Sequence, residues 1–202
     1  MPRTAEQNES ARAATREAIE TAAVRVFARR GFADSNMRQI AAEAGLSAGS
    51  IYRHFASKEE LFEALLGQAS DGLRATAAHL SSDGDPLELL RGFTEMYLAD
   101  LAKGEGAAEF FMVVNHGFTT DTPAGIGARL AVAQRALWDA VAALVRRGQS
   151  AGRFAAGDPV RVAANYFALL TGLTMMHLAL GDTLPEPDVD LVLRTLIGGT
   201  GK

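Results

Sequence analysis

The chain of 202 residues carries a formal net charge of −4, from 20 Lys and Arg against 24 Asp and Glu, and its length suits one large domain or two small ones. It contains no cysteine, which excludes disulfides and thiolate metal sites and fits a reducing, cytoplasmic compartment. Hydrophobic residues make up 48 %, with much alanine and few strong strand formers, so the composition favours an all-α fold.

The chain begins with a polar segment followed by a long helix. Residues 1–14 lack the apolar stretch of a signal peptide, and we expect a flexible arm there. Gly31 is expected to end the helix that follows. Its apolar residues recur at the spacing of one helical face, at Ile19, Ala23, Val26 and Phe27.

Two short helices are predicted next. Asn36 can cap a helix over residues 37–44, which Gly45 ends, and Ser47 can cap a second helix over residues 47–55. Two short helices joined by a glycine turn have the spacing of a helix-turn-helix. The acidic total also hides a local excess of basic charge, because residues 25–58 have a net charge of +4. A local field of this kind favours docking of an anion.

The third helix is predicted to have an inner and an outer side. Ile51 and Phe55 share one side and should pack against the first two helices. The opposite side carries Gly49, Ser50 and Arg53. A glycine costs about 1 kcal/mol inside a helix, but at an exposed position it lets another surface come close. An arginine can donate two hydrogen bonds to a guanine edge or hold a phosphate.

Other side chains in this stretch suit the phosphates of a duplex. Ser47, Tyr52 and Lys58 can hydrogen-bond phosphate oxygens, beside the helix N-termini that begin at Ser47 and Ser57. The alternative is a solvated polar helix end without a ligand. The predicted DNA-binding residues are Arg38, Ser47, Ala48, Gly49, Ser50, Tyr52, Arg53, His54 and Lys58.

Residues 15–66 resemble the DNA-binding domain of the tetracycline-repressor (TetR/AcrR) family. The resemblance lies in the stretches ARRGF, MRQIAAEAGLS and GSIYRHFASKEEL. The matching positions are Ile40, Ala41, Gly45, Ser47, Gly49, Tyr52, Phe55, Lys58, Glu60 and Leu61. The resemblance implies a homodimeric repressor that binds a near-palindromic operator in double-stranded DNA. It also implies release from that operator when a small molecule binds the C-terminal domain.

Two residues depart from the family pattern. Asn36 stands where Thr or Ser is usual, but asparagine also caps helices well. Ala48 stands where Lys or another polar residue is common, which removes a DNA contact or places a methyl group near a thymine.

The rest of the chain is predicted to be helical. Ser57, with Glu60 three residues later, has the spacing of a capping box and opens a helix to about Leu80. We expect a helix-turn-helix domain over residues 15–66 and a ligand-binding and dimerisation domain over residues 67–202. The further helices are predicted from Pro86 to about Lys103, over 107–118, from about 126 to Gly148, from Asp158 through the uncharged stretch 162–181, and over 189–197.

The uncharged stretch 162–181 is long enough to cross a membrane. A helix buried inside a protein has the same composition, and without a second such segment we expect no membrane partner. The resemblance implies that the last two helices form a four-helix interface between two subunits; the alternative is a core helix of a monomer. The predicted interface residues are Ala164, Ala168, Gly172, Val189 and Leu193.

Bulky and polar residues of the C-terminal part could line an effector cavity for a largely apolar small molecule. Each of them could equally be ordinary core. The predicted ligand-binding residues are Phe93, Met96, Tyr97, Phe111, Asn115, His116, Phe118, Trp138, Phe167 and His177. No nucleophile elbow, phosphate loop or zinc motif is present, so we predict no catalytic residue, metal or cofactor. A constitutive DNA-binding protein and an all-helical enzyme remain the alternatives.

Overall fold

Nine α-helices account for most of the described residues, and no strand occurs among them. The computed structural model describes residues 5–103, 106–119 and 124–197. The helices are α1 (Ala5–Arg30), α2 (Met37–Glu43), α3 (Ala48–Ile51), α4 (Lys58–Leu80), α5 (Pro86–Ala102), α6 (Ala107–Thr119), α7 (Ile126–Ser150), α8 (Pro159–Leu180) and α9 (Val189–Ile197), with a 3-10 turn at Gly181–Thr183. The predicted all-α fold is confirmed.

The chain forms two compact units. One contains Met1–Ala69 and Glu109–Leu130, and the other contains Ser70–Ala108 and Ala131–Lys202. The first unit therefore holds α1 to α3, the start of α4 and most of α6. The division predicted from the sequence, into residues 15–66 and 67–202, places the segment 109–130 in the second domain, whereas here it belongs to the first unit. The division by function stays a prediction.

Two helix boundaries in the first unit differ from expectation. The helix α1 already begins at Ala5, so residues 5–14 of the predicted flexible arm are helical. This segment is rich in good helix formers such as Ala, Glu and Arg. The regular helix α3 is shorter than the predicted 47–55, because the chain tightens after Ile51: the Arg53 N–H bonds the Ser50 carbonyl at 3.2 Å.

The predicted caps of the short helices are present. Asn36 Oδ1 accepts hydrogen bonds from the N–H groups of Arg38 and Gln39, each at 3.1 Å, and Gln39 Oε1 accepts from the Asn36 N–H at 2.9 Å. Ser47 Oγ accepts from the Ser50 N–H at 3.2 Å. These bonds satisfy N–H groups that a helix start otherwise leaves free, so both helices begin at defined residues.

At the start of α4, the capping box is displaced by one residue. Ser57 Oγ accepts from the Glu60 N–H at 3.0 Å, as the spacing predicts. Glu60 Oε2, however, accepts from the Ala56 N–H at 2.7 Å. The turn before α4 is therefore fixed on both sides of Ser57.

The core of the first unit joins α1, α4 and the turn between α1 and α2. The rings of Phe27, Phe32 and Phe62 lie with centroids 4.6 to 5.7 Å apart. Ile40 and Ile51 are fully buried as well. The helix α6 closes onto α4 at Gly117, where any side chain would collide with Leu66 and Leu130.

The second unit is organised around α5 and α8. Tyr166 of α8 is fully buried, and its hydroxyl lies 2.7 Å from Thr94 Oγ1 of α5. Tyr97 and Thr174 form a second hydroxyl pair between the same two helices at 2.6 Å. Because Thr94 donates its own proton to the Leu90 carbonyl, Tyr166 must be the donor of the buried pair. These bonds fix the register of the two helices.

Candidate nucleic-acid interface

The third helix has the two sides that the sequence predicts. Ile51 and Phe55 are 0 % and 1 % exposed, whereas Tyr52 is 52 % exposed. Arg53 and Gly49 are also exposed. A Cβ atom added at Gly49 would meet nothing within 4 Å inside the protein. Glycine is thus not required there by the fold of the subunit, and the surface at this position is left free for an outside partner.

The polar groups around α3 differ in what they can still bind. The Arg53 guanidinium donates to Ser50 Oγ at 3.0 Å, which directs it along the exposed side of the helix. The Ser47 hydroxyl oxygen accepts the capping hydrogen bond, and its proton can still be donated to another acceptor. Arg38 and Ala48 are exposed at the first turns of α2 and α3. These residues can face a duplex together, with Arg53 as the strongest candidate for a base edge.

Lys58 is predicted to bind phosphate, and in the free protein its ammonium is already bound by backbone carbonyls. Its ammonium donates to the carbonyls of Phe32 at 2.6 Å and Ser35 at 2.9 Å. It also lies 4.3 Å from the centroid of the Phe32 ring. The ammonium therefore ties the start of α4 to the turn between α1 and α2. Carbonyls that follow a helix end need donors, and this side chain supplies them.

His54 adjoins two arginines that the sequence analysis did not select. Burial, followed by the positive charges of Arg12, Arg16 and Arg53, lowers the pKa of the His54 imidazole. The Arg16 guanidinium lies over the Phe55 ring, 4.2 Å from its centroid. Arg12 lies in the segment predicted to be a flexible arm, and Arg16 lies just after it. Their spacing of about one helical turn is the signal in the sequence that places both side chains on the same side of α1.

The predicted ligand residues of the first unit have contacts of different kinds. Asn115 is exposed, and its amide donates to the Phe111 carbonyl one turn earlier, at 2.8 Å. The His116 ring meets the Phe62 ring edge-on at 6.3 Å between centroids. Phe118 is 37 % exposed.

The predicted ligand residues of the second unit lie in or beside an aromatic cluster. Phe93 is within 6.2 Å of Tyr97, and Trp138 is within 5.8 Å of Phe167, between ring centroids. Tyr166 links these two pairs. Tyr166 is not among the predicted ligand-binding residues, although its position in an uncharged helix already indicates a buried hydroxyl.

Two further ligand candidates lie at the edge of this region. Met96 is 52 % exposed, which places it on the surface of its unit, while His177 is half-buried.

Burial raises the pKa of both Tyr97 and Tyr166. Both phenols consequently stay neutral donors at ordinary pH.

The predicted dimer interface is partly corrected. Leu193 is 0 % exposed within its own subunit, so it belongs to the core and not to a surface. On α9 it is Leu191, at 56 % exposure, that points outward in place of Leu193. Val189 is half-buried and packs on the same core. Ala168 is exposed, and a Cβ added at Gly172 would meet nothing within 4 Å.

Beyond these small residues, the exposed side of α8 carries large apolar side chains together with the polar Asn165 and Thr171. Among the described residues, this is the helix whose length and composition would allow it to cross a membrane. Ala163, Tyr166, Leu170 and Thr174 are buried on its inner face. The large apolar side chains exposed on the rest of the helix are Val160, Met175, Met176, Leu178 and Leu180.

Residues 19–65 match the family model described as bacterial regulatory proteins, tetR family. Over 181 residues the chain is 32 % identical to the HTH-type transcriptional regulator TtgR of Pseudomonas putida. The match covers 84 % of this chain and 83 % of that relative. The similarity therefore extends through both compact units and is not confined to the helix-turn-helix.

Solved structures of low sequence identity share the fold. The SmeT–triclosan complex has a TM-score of 0.68 at 21 % identity and covers 93 % of each chain. The structure of AibR with isovaleryl coenzyme A and operator DNA has a TM-score of 0.66 at 18 % identity. It covers 88 % of this chain and 93 % of that one.

Proposed function

Because this chain belongs to the tetR family of bacterial regulatory proteins, we propose that it is a homodimeric repressor that binds a near-palindromic operator and is released by a small, largely apolar effector. DNA binding and control of transcription are the activities of this family. Its relatives and structural neighbours are transcriptional regulators and not enzymes. We place the protein in the cytoplasm, where its DNA would be.

The exposed side of α3 carries the proposal of operator binding. Gly49 leaves open surface, and Tyr52 and Arg53 extend from it, above the buried pair Ile51 and Phe55. A helix of this kind can enter the major groove, where base edges differ between sequences. The adjoining caps present N–H groups and hydroxyls suited to the flanking phosphates.

The test begins with selection of duplexes from a random pool by the wild-type protein. Arg53→Ala should then weaken binding to the selected duplex by about 1–3 kcal/mol and relax the preference at one base position. The matched control is Arg146→Ala, an exposed arginine of α7 without an ion-pair partner in the described ranges. Unchanged affinity of the Arg53 variant would refute the assigned helix face.

The uncovered apolar face of α8 supports a homodimer. Exposed methionine and leucine side chains beside Ala168 and Gly172 form a surface that water solvates poorly. A second copy of α8 could approach closely over the small residues. A twofold axis through such a contact would present two copies of α3 to half-sites about 34–36 Å apart.

Sedimentation of a charged variant tests the dimer. Ala168→Arg should give monomers with little operator affinity, because it places a charge in an apolar contact. Val132→Arg is the control, since Val132 is an exposed apolar residue on α7, at 67 % exposure. A monomeric wild-type protein at micromolar concentration would refute the proposed assembly.

The effector proposal draws on relatives of the same fold. SmeT binds triclosan, and AibR binds isovaleryl coenzyme A together with operator DNA in their respective structures. In this chain the half-buried Tyr97, which packs against Phe93 of the aromatic cluster, carries a hydroxyl that could orient a ligand. The helix α4 continues from the first compact unit into the second, so a ligand that favours one position of α4 would alter the placement of α3.

Reciprocity provides the decisive test of the effector. A binder found by thermal shift should bind more weakly when operator DNA is present, by the same factor by which it weakens DNA binding. A factor of about 5–150 corresponds to a coupling of roughly 1–3 kcal/mol. Equal affinity with and without DNA would favour the alternative of a constitutive DNA-binding protein.

A further inference from the structure

The N-terminal half of α1 forms a basic groove beside the end of α3. The groove has a volume of about 590 Å³. It is lined by Asn8, Glu9, Arg12, Ala13, Arg16 and His54. Five of these six residues come from α1, outside the helix-turn-helix, and only His54 comes from the turn after α3. The groove is therefore a separate surface that directly adjoins the DNA-facing residues.

The charges in this groove are incompletely compensated. Arg16 pairs with Glu20 at 3.0 Å, whereas Arg12 is exposed and has no ion-pair partner in the part of the chain that the structure describes. Glu9 is the one acidic residue in the lining. The positive charges of Arg12 and Arg16 add to burial in lowering the pKa of His54. The imidazole therefore lies in a positive potential, to which both arginines contribute.

The two arginines also conflict with the preferences of an isolated helix. Arg12 and Arg16 are four residues apart, and like charges at this spacing destabilise a helix. An arginine that serves only solubility does not need this spacing. An anion bound between the two guanidinium groups would remove the repulsion and could accept hydrogen bonds from both.

The position of the groove indicates which anion it would meet. His54 directly follows Arg53, and Arg16 packs on the ring of Phe55, so the groove continues the surface of α3. The major groove of a duplex is bordered by phosphates, and most protein–DNA hydrogen bonds go to the phosphates and sugars. We propose that Arg12, Arg16 and His54 bind a backbone phosphate of the duplex whose base edges face α3. The proposal rests on operator binding and adds α1 to the DNA interface.

The experiment measures the salt dependence of binding to one duplex recovered from a random pool by the wild-type protein. Each lost phosphate contact should reduce the slope of log K against log salt by about 0.9. Between 50 and 200 mM salt, Arg12→Gln or Arg16→Gln should therefore reduce the rise in Kd by about 3.5-fold relative to wild type. Because both arginines are assigned to the same phosphate, the double variant should reduce it by about the same factor and not by its square. The base preference should not change, because a phosphate carries no sequence information.

Two companion variants make the test specific. Glu9→Gln removes the acidic group of the groove and should tighten binding, which is the opposite sign to the arginine variants. Arg146→Gln removes an exposed arginine from α7 and should leave the slope unchanged. Circular dichroism melting of each variant identifies any loss of folding, which is unexpected because these side chains are exposed or lie at the groove surface.

The outcomes separate this site from the proposed function. If the wild-type protein enriches no duplex, operator binding is refuted, and the α1 site with it. If it enriches a duplex but both arginine variants keep the wild-type slope, only the α1 site is refuted. A changed base preference in Arg12→Gln would also overturn the assignment to phosphate. An equal effect of Arg146→Gln would show that overall charge, and not this groove, sets the slope.

Discussion

Lys58 offers the clearest test of how the structure redefines a residue of the expected DNA interface. Its side chain is half-buried, and its ammonium donates to the carbonyls of Phe32 and Ser35. The substitution Lys58→Met keeps an unbranched apolar stem of similar length and removes the charge and the donors. The variant therefore separates the hydrogen bonds from the packing of the side chain.

The expected loss can be worked from these contacts. A hydrogen bond from a charged donor contributes about 1.5–3 kcal/mol, and at a half-buried site the lower end of this range applies. The ammonium also lies 4.3 Å from the Phe32 ring centroid, a contact worth about 0.5–1 kcal/mol. These contributions are not additive, and we expect a total loss of about 2–3 kcal/mol. For a protein of this size, the Tm should fall by about 4–12 °C.

Thermal melting and salt-dependent duplex binding measure the two sides of this prediction. Lys58→Met should lower the Tm and weaken DNA binding, while the slope of log K against log salt stays at the wild-type value. Lys103→Met is the matched control, because Lys103 forms an exposed ion pair with Asp100 at 3.1 Å. An exposed ion pair contributes only about 0–1 kcal/mol to the free energy of unfolding, so the Tm of this control should change little. An unchanged Tm together with a slope reduced by about one unit would refute the reasoning and restore Lys58 as a phosphate contact.

Three further substitutions test the packing, the buried hydroxyls and the histidine. Gly148→Ala should lower the unfolding free energy by about 1–3 kcal/mol in urea titration, because its Cβ would overlap the buried Phe154 ring. Gly72→Ala is the control: its Cβ would meet nothing within 4 Å, so the change should be neutral or stabilising. Tyr166→Phe should cost about 1 kcal/mol by the same assay, since it removes the donor to a buried hydroxyl of α5, and a neutral result would contradict that bond. Burial and neighbouring guanidinium groups lower the pKa of His54 below 6.5, so the unfolded chain binds more protons as the pH falls below that value, and stability should decline there. His54→Gln should flatten this part of the stability curve, and an unchanged curve would show that His54 is not its source.

Local sequence was sufficient to predict most helices and the outward side of α3. Caps, glycine stops and apolar spacing act over a few residues, so the pattern around Asn36 and Ser47 already contains the information that places α2 and α3. The inward side of Ile51 and Phe55 follows from the helical period alone. The same local rules placed most of the remaining helices, and the all-α class followed from them.

The roles of long polar and apolar side chains were decided only by the tertiary structure. Lys58 can reach a phosphate or the turn at residues 32–35, and only the packing of α4 against that turn determines which acceptors lie within 3 Å. Leu193 and Leu191 belong to the same amphipathic helix, and the neighbouring helices decide which of them is buried. Arg12 lines the same groove as His54, which lies about 40 residues away in the sequence. Contacts between residues so distant in sequence depend on the path of the whole chain, and no local pattern encodes that path.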